Sequence, residues 1–203
     1  MKAQEAVRRL SVRAGEAGFI QNSEEVVGRL LRLLVAMRPG GRYLELGTGM
    51  GAGLVWLVSA LGDDGGVVTV ELDAELQAVA RDELGADDRI TWFLGDGSVW
   101  LRTAVVDGEG TFDGVFADTW PGKYHDRDLA MRLVKHGGWY LVDDLHPQPG
   151  WPVGHQANVD ALMAELAALE SWTTECLDMG SGVMLCVKTG ISLPTRTPSS
   201  APA

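Results

Sequence analysis

The sequence predicts an α/β fold, a mostly parallel seven-stranded sheet with helices on both faces and a C-terminal antiparallel hairpin. Three observations carry this. Apolar runs of strand length alternate with helical patterns from residue 42 to residue 143, which requires crossover connections between parallel strands. Gly47, Gly49, Gly51 and Gly53 stand where the first strand turns into a helix, and glycine there lets a ligand approach the backbone beside free helix N–H groups. The last two apolar runs, 172–178 and 182–188, meet at Gly180-Ser181-Gly182, a link too short for a crossover, so they pair as a hairpin.

The elements follow in order. Residues 3–14 alternate Ala6, Val7, Leu10 and Val12 with Arg8, Arg9 and Arg13, an amphipathic helix, and Gly15 and Gly18 end it. Phe19 to Asn22 reads as a loop. Ser23 caps a helix that carries Val26, Val27, Leu30, Leu31, Leu34 and Met37 inward and stops at Pro39-Gly40-Gly41. Then come strand 42–46, helix 51–62, strand 67–71, helix 73–84, strand 89–94, helix 97–105 and strand 112–117. A helix over 124–136, strand 138–143 and a helix from Val159 to Leu169 precede the hairpin. Trp56, Trp92, Trp100, Trp139 and Trp172 fall in these patterns and are expected in the core.

The domain organisation expected is an N-terminal helix and loop over 1–22, one cofactor-binding domain over 23–190, and a disordered tail over 191–203, which has no apolar face to bury. With 203 residues, 46% hydrophobic and 22% charged, the chain has the composition of a soluble globular protein. A net charge of −11 without a Lys/Arg cluster argues against a nucleic-acid partner and for a small molecule. No apolar run has membrane-spanning length and Met1 to Glu5 opens no signal peptide, so no membrane partner and a cytoplasmic location are expected. Cys176 and Cys186 are expected as buried free thiols.

The cofactor is read from the acids around the glycines. Gly47, Gly49 and Ala52 also fit a relaxed dinucleotide fingerprint, but Glu45 lies two residues before the first glycine, where it would repel a pyrophosphate and attract a cation. Glu71, next to Leu72, ends the second strand at the position of a carboxylate for ribose hydroxyls, and Asp96 between Gly95 and Gly97 closes the third. The plainer alternative makes these three acids turn and cap residues. With Thr48 and Gly53 in the loop, the pattern resembles that of the class I methyltransferases, Rossmann-like enzymes dependent on S-adenosylmethionine (SAM), over residues 40–190. The resemblance implies that Glu45, Gly47, Thr48, Gly49, Gly53, Glu71, Leu72, Gly95, Asp96, Gly97 and Asp118 bind SAM.

Chemistry in an open α/β sheet is expected just after the strands. The fourth strand runs into Asp118, Trp120, Lys123, Tyr124 and His125, and the fifth into Asp143, Asp144, His146, Trp151 and His155. Here the chain resembles the catechol O-methyltransferase-like small-molecule O-methyltransferases. That resemblance implies a divalent metal, Mg²⁺ or another, on Asp118, Asp143 and Asp144, although Asp144 stands where the family has Asn and Trp120 where it has Lys. It implies catalytic roles for Asp118, Lys123 and Asp143. His146 or His155 is a further candidate base, with a plain loop role as the alternative for each. Trp120, Tyr124 and Trp151 are expected to face a flat acceptor, with the 146–155 insert as a rigid lid, and a homodimer stays open. N-methyl transfer, NAD-dependent oxidoreduction and SAM binding without turnover are the competing readings.

Overall fold

The computed structural model describes residues 3–148 and 151–190. Two helices, α1 (Ala3–Ala17) and α2 (Glu25–Ala36), lead into alternating β1 (Arg42–Leu46), α3 (Ala52–Val58), β2 (Gly66–Glu71), α4 (Ala74–Leu84), β3 (Ile90–Leu94), α5 (Gly97–Asp107) and β4 (Phe112–Ala117). A single broken turn, α6 (Trp120–Lys123), and α7 (Arg127–Arg132) precede β5 (Val134–Val142), and α8 (His155–Ala167) precedes β6 (Trp172–Leu177) and β7 (Val183–Lys188). The sheet has seven strands in the order β3-β2-β1-β4-β5-β7-β6. The first five pair in parallel, and β7 runs antiparallel to both β5 and β6. The order in which strands are added therefore reverses between β1 and β4, a switch point at which ligands of such sheets bind.

Each face of the sheet carries its own core. On one face α1 to α4 pack around Trp56, Tyr43 and Leu57, and on the other α5, α7 and α8 cover Leu44, Val115 and Tyr140. Ala3, Ala6 and Leu10 of α1 belong to the first core, so residues 3–17 pack into the same body as the sheet. α2 approaches α3 closely because position 28 is glycine: a Cβ there would sit 2.0 Å from the Trp56 indole. Trp56 and Trp139 are buried, while Trp92, Trp100 and Trp172 are half-buried against the cores.

Several expectations are corrected. The helix of 124–136 is cut short at Arg132, because Val134 already pairs with Phe112 and the chain bulges at Gly137, φ +76°, before Trp139 rejoins Gly114. α8 starts four residues early, at His155, once Gly154 turns the chain in the left-handed region. In α2 the buried set is Val27, Leu31, Leu34 and Val35, whereas Val26, Leu33 and Met37 face outward. Cys176 is exposed and only Cys186 is buried, both as free thiols. Residues 191–203, the expected tail, lie outside the described residues. No described helix is long and apolar enough to cross a membrane.

Candidate active site

The carboxyl ends of β1, β4 and β5 open onto two adjoining cavities. The smaller, about 140 Å³, lies on the glycine loop and is lined by Gly47, Thr48, Gly49, Gly53 and Glu71 together with Phe19, Leu76 and Thr119. The larger, about 590 Å³, is walled by Ile20, Glu24, Asp143, Asp144, Gln148, Trp151 and Ser181. Gln21, Asn22, Ser23 and Asp118 line both, so one chamber leads into the other beside the Asp118 carboxyl.

The glycine loop is shaped from below. Gly47, at φ +94°, lets β1 pass the end of β4, since a Cβ would meet the Asp118 carbonyl at 2.9 Å. Beneath it a relay runs from Thr48 through Thr69, whose hydroxyl lies 2.6 Å from that of Thr48 and donates to Glu45 Oε2 at 2.6 Å. Glu45 is 1% exposed and lines neither cavity. Burial pushes its carboxyl up to about 8, with the charge of Glu71 adding to the effect and the Thr69 bond opposing it. The group expected to offer a charge to the cofactor thus lies under the loop, bonded to Thr69, where burial favours its protonated form.

Glu71 does reach the smaller cavity. Its Oε2 accepts from Gly49 N at 2.7 Å, and its Oε1 accepts from Leu72 N at 2.9 Å and Asp73 N at 3.0 Å, which fixes the carboxylate across the loop. Leu72 beside it is 70% exposed, outside the cavity wall. Gly95, Asp96 and Gly97 are not in either wall. Asp96 caps α5 by accepting from Val99 N at 3.0 Å, the cap reading of that acid.

The strand-end acids do converge. Burial first, then the charges of Asp143 and Asp144, hold the Asp118 carboxyl well above its ordinary range, against the opposing pull of Lys123 and a 3.2 Å bond from Ser23 Oγ. Asp143, 2% exposed, is pushed up to about 6 by burial and by Asp144, although Ser181 Oγ and Asp144 N, the latter at 2.7 Å, both donate to its Oδ1. Asp144 adopts φ +56°, the left-handed conformation that aspartate tolerates better than most residues. Among the described residues no group of three or more His, Cys, Asp or Glu side chains is placed to hold a metal ion, so the expected ligand set of Asp118, Asp143 and Asp144 is not assembled.

Other candidates lie elsewhere. Lys123 is buried with its Nζ donating to the Asp143 carbonyl, outside the cavity wall. His146 lies on Gly182 and faces Asp178 at 3.4 Å, outside both cavity walls. Trp120 and Tyr124 are not in the wall but form a ring cluster with His125 and His155, and Trp151 joins that cluster from the cavity wall. Residues 149 and 150 of the expected lid lie outside the described residues. Sequence reasoning missed Phe19 to Glu24, Gln148 and Ser181. Their signals pointed elsewhere: Ser23, expected as the helix cap, instead donates to Asp118 while Glu24 takes the cap position, and Ser181, read as part of the hairpin link, meets Asp143 across 38 residues.

The model of a protein family described as O-methyltransferase matches residues 4–193. A Mycobacterium tuberculosis protein named as a probable O-methyltransferase is 30% identical over 171 residues, 80% of this chain and 75% of the relative. Among solved structures, the O-methyltransferase TomG of Streptomyces achromogenes, involved in tomaymycin synthesis and solved with SAM, is similar with a TM-score of 0.79 and 26% identity. That similarity covers 92% of this chain and 90% of TomG. A Bacillus cereus O-methyltransferase solved with SAH shares the fold at a TM-score of 0.76 and 21% identity, over 91% of each chain.

Proposed function

This chain belongs to the O-methyltransferase family, and on that premise we propose that it moves the methyl group of SAM to a hydroxyl of a small, flat, aromatic metabolite. The observation that carries this reading is the pair of cavities sharing Asp118 and residues 21–23. The glycine loop and Glu71 would hold SAM in the smaller cavity, Glu71 offering a carboxylate for its ribose hydroxyls. The acceptor would then occupy the larger cavity, which adjoins the smaller one at Asp118 and has Trp151 in its wall.

Transfer is an in-line displacement, so the chain's work is alignment and removal of one proton. An acceptor oxygen lone pair forms the new C–O bond while the C–S bond breaks and its electron pair stays on sulfur, leaving S-adenosylhomocysteine. The hydroxyl proton passes to Asp118. In its ionised form, a carboxylate whose proton affinity is raised is a better base than an ordinary one. Asp143 and Asp144 raise that affinity, and Lys123 beneath them keeps part of the charge balanced.

A divalent ion would find oxygen donors of the right kind in these acids and would lower the pKa of a bound phenol. The side chains as placed do not fit one: Asp143 Oδ1 already accepts two hydrogen bonds, Asp118 Oδ2 accepts one, and among the described residues no three acids are placed to hold a metal ion. The proton is therefore assigned to Asp118. Among the described residues the cavity wall holds four carboxylates, Glu24, Asp118, Asp143 and Asp144, and no Lys, Arg or His, which supports a cationic group on the acceptor and makes N-methyl transfer the second reading. A homodimer is part of the proposal, with the outward Val26, Leu33 and Met37 of α2 as the apolar face it needs.

A mass-detected screen with SAM over phenols, catechols and amines tests the reaction. Methylation confined to amines would replace the first reading by the second. Activity lost on exhaustive chelation and restored by Mg²⁺ would overturn Asp118 as the base.

A further inference from the structure

We propose that His155 is a positioning residue for the acceptor, the imidazole that holds the Trp151 indole in one orientation in the wall of the larger cavity. The inference deepens the reading above and rests on it for what fills that cavity. Three chain segments meet at His155. Trp151, from the loop after β5, lies edge-on to it with ring centroids 4.6 Å apart and planes 69° apart. Tyr124 packs on it at 5.4 Å and 78°, its hydroxyl 3.3 Å from Nε2, and Trp120 approaches at 5.6 Å. The imidazole itself is 9% exposed and outside the cavity wall, so it reaches the acceptor only through Trp151.

The placement follows from the local chain. Gly154, in the left-handed region at φ +86°, turns the loop into α8 and sets His155 as the first helical residue, with its N–H on the Pro152 carbonyl at 3.0 Å. Trp151 therefore stands one tight turn from the imidazole it packs against. An indole carried on a loop turns freely about two side-chain bonds, and edge-to-face contact with a buried ring fixes its plane. A fixed indole in the same cavity as Asp118, Asp143 and Asp144 gives that cavity one flat apolar surface together with acidic ones. That arrangement selects planar acceptors whose hydroxyl points at the acids. If Trp151 could rotate, the selection would be lost while cofactor binding, on the far side of Asp118, would not.

The test uses the protein labelled with 5-fluorotryptophan, in which seven tryptophans give seven fluorine resonances and Trp151→Phe assigns one. His155→Ala is expected to shift or split the Trp151 resonance and to weaken catechol binding about tenfold, with SAM affinity by calorimetry unchanged. His155→Phe, which keeps a ring but no bond to Tyr124, is expected to restore a single resonance and catechol affinity within about threefold. An unmoved Trp151 resonance in His155→Ala that still binds SAM overturns the proposal. Should His155→Ala fail to fold, Tyr124→Phe, which strips the imidazole of its hydroxyl partner, is expected to shift the same resonance, and no shift overturns the proposal equally. Catechol that leaves the wild-type Trp151 resonance untouched would instead remove the aromatic-acceptor reading of the cavity, and the response to His155→Ala would still decide the role of His155.

Discussion

Replacing Glu45 by Gln separates the support under the glycine loop from a charged cofactor ligand. Glu45 is 1% exposed, and its carboxyl is raised from an ordinary 4.5 to about 8, chiefly by burial. Between those values the folded chain keeps a proton that the unfolded chain has released, so raising the pH removes stability. The loss is absent below about pH 4.5, grows through the window, and is complete above about pH 8. The gap from 4.5 to about 8, at about 1.4 kcal/mol per pH unit, comes to on the order of 5 kcal/mol. Gln has the same shape, can accept from Thr69 as Glu45 does at 2.6 Å, and does not ionise. Glu45→Gln is therefore expected to match the wild type within about 1 kcal/mol at pH 4.5 and to exceed it by about 4–5 kcal/mol at pH 9. At about 2–4 °C per kcal/mol for a chain of this size, the melting gap widens by about 10 °C or more. Every other titrating group is common to both proteins and cancels in the difference. Melting curves by circular dichroism at the two pH values check it. A gap that is the same at pH 4.5 and pH 9 would refute a protonated, buried Glu45 and return that residue to the cofactor.

Glu71→Ala is expected to weaken SAM binding about 10- to 100-fold, since it removes a carboxylate whose charge-assisted bonds contribute about 1.5–3 kcal/mol each, and unchanged affinity by calorimetry would remove Glu71 from the cofactor site. Asp118→Asn is expected to lower kcat at least about 100-fold with SAM affinity largely kept. Because the Asp118 carboxyl is held well above its ordinary range, wild-type kcat falls as the pH drops through that raised value, and in the variant this acid limb disappears; a limb that persists points to another base. Gly28→Ala places a methyl 2.0 Å from the Trp56 ring and is expected to cost about 1–3 kcal/mol, read as an earlier urea midpoint, and an unmoved midpoint would contradict the close packing of α2 on α3.

Local chemistry settled much of this protein in its sequence. Strand-length apolar runs, turn glycines and a three-residue link dictate five parallel strands and a hairpin, because hydrogen-bond geometry and chain reach leave no other pairing. The glycine loop, Glu71 and Asp118 were legible for the same reason: they sit at strand ends, where the backbone itself aims them at the switch point. The direction of a side chain was not. Glu45, Asp96 and Asp118 all lie near the carboxyl ends of strands, yet one turns under the loop to Thr69, one back onto Val99 N, and only one into the cavities. Those choices depend on partners that the sequence does not place nearby. The same holds for Ser23 on Asp118, Ser181 on Asp143 and His155 on Trp151 and Tyr124. Two of these meetings come from segments 95 and 38 residues apart, brought together only by packing helices and a hairpin against the sheet. Residues that wall a cavity without periodicity or motif acquire their role from tertiary proximity alone, and that is why the glycine loop could be read from the chain and the acceptor chamber could not.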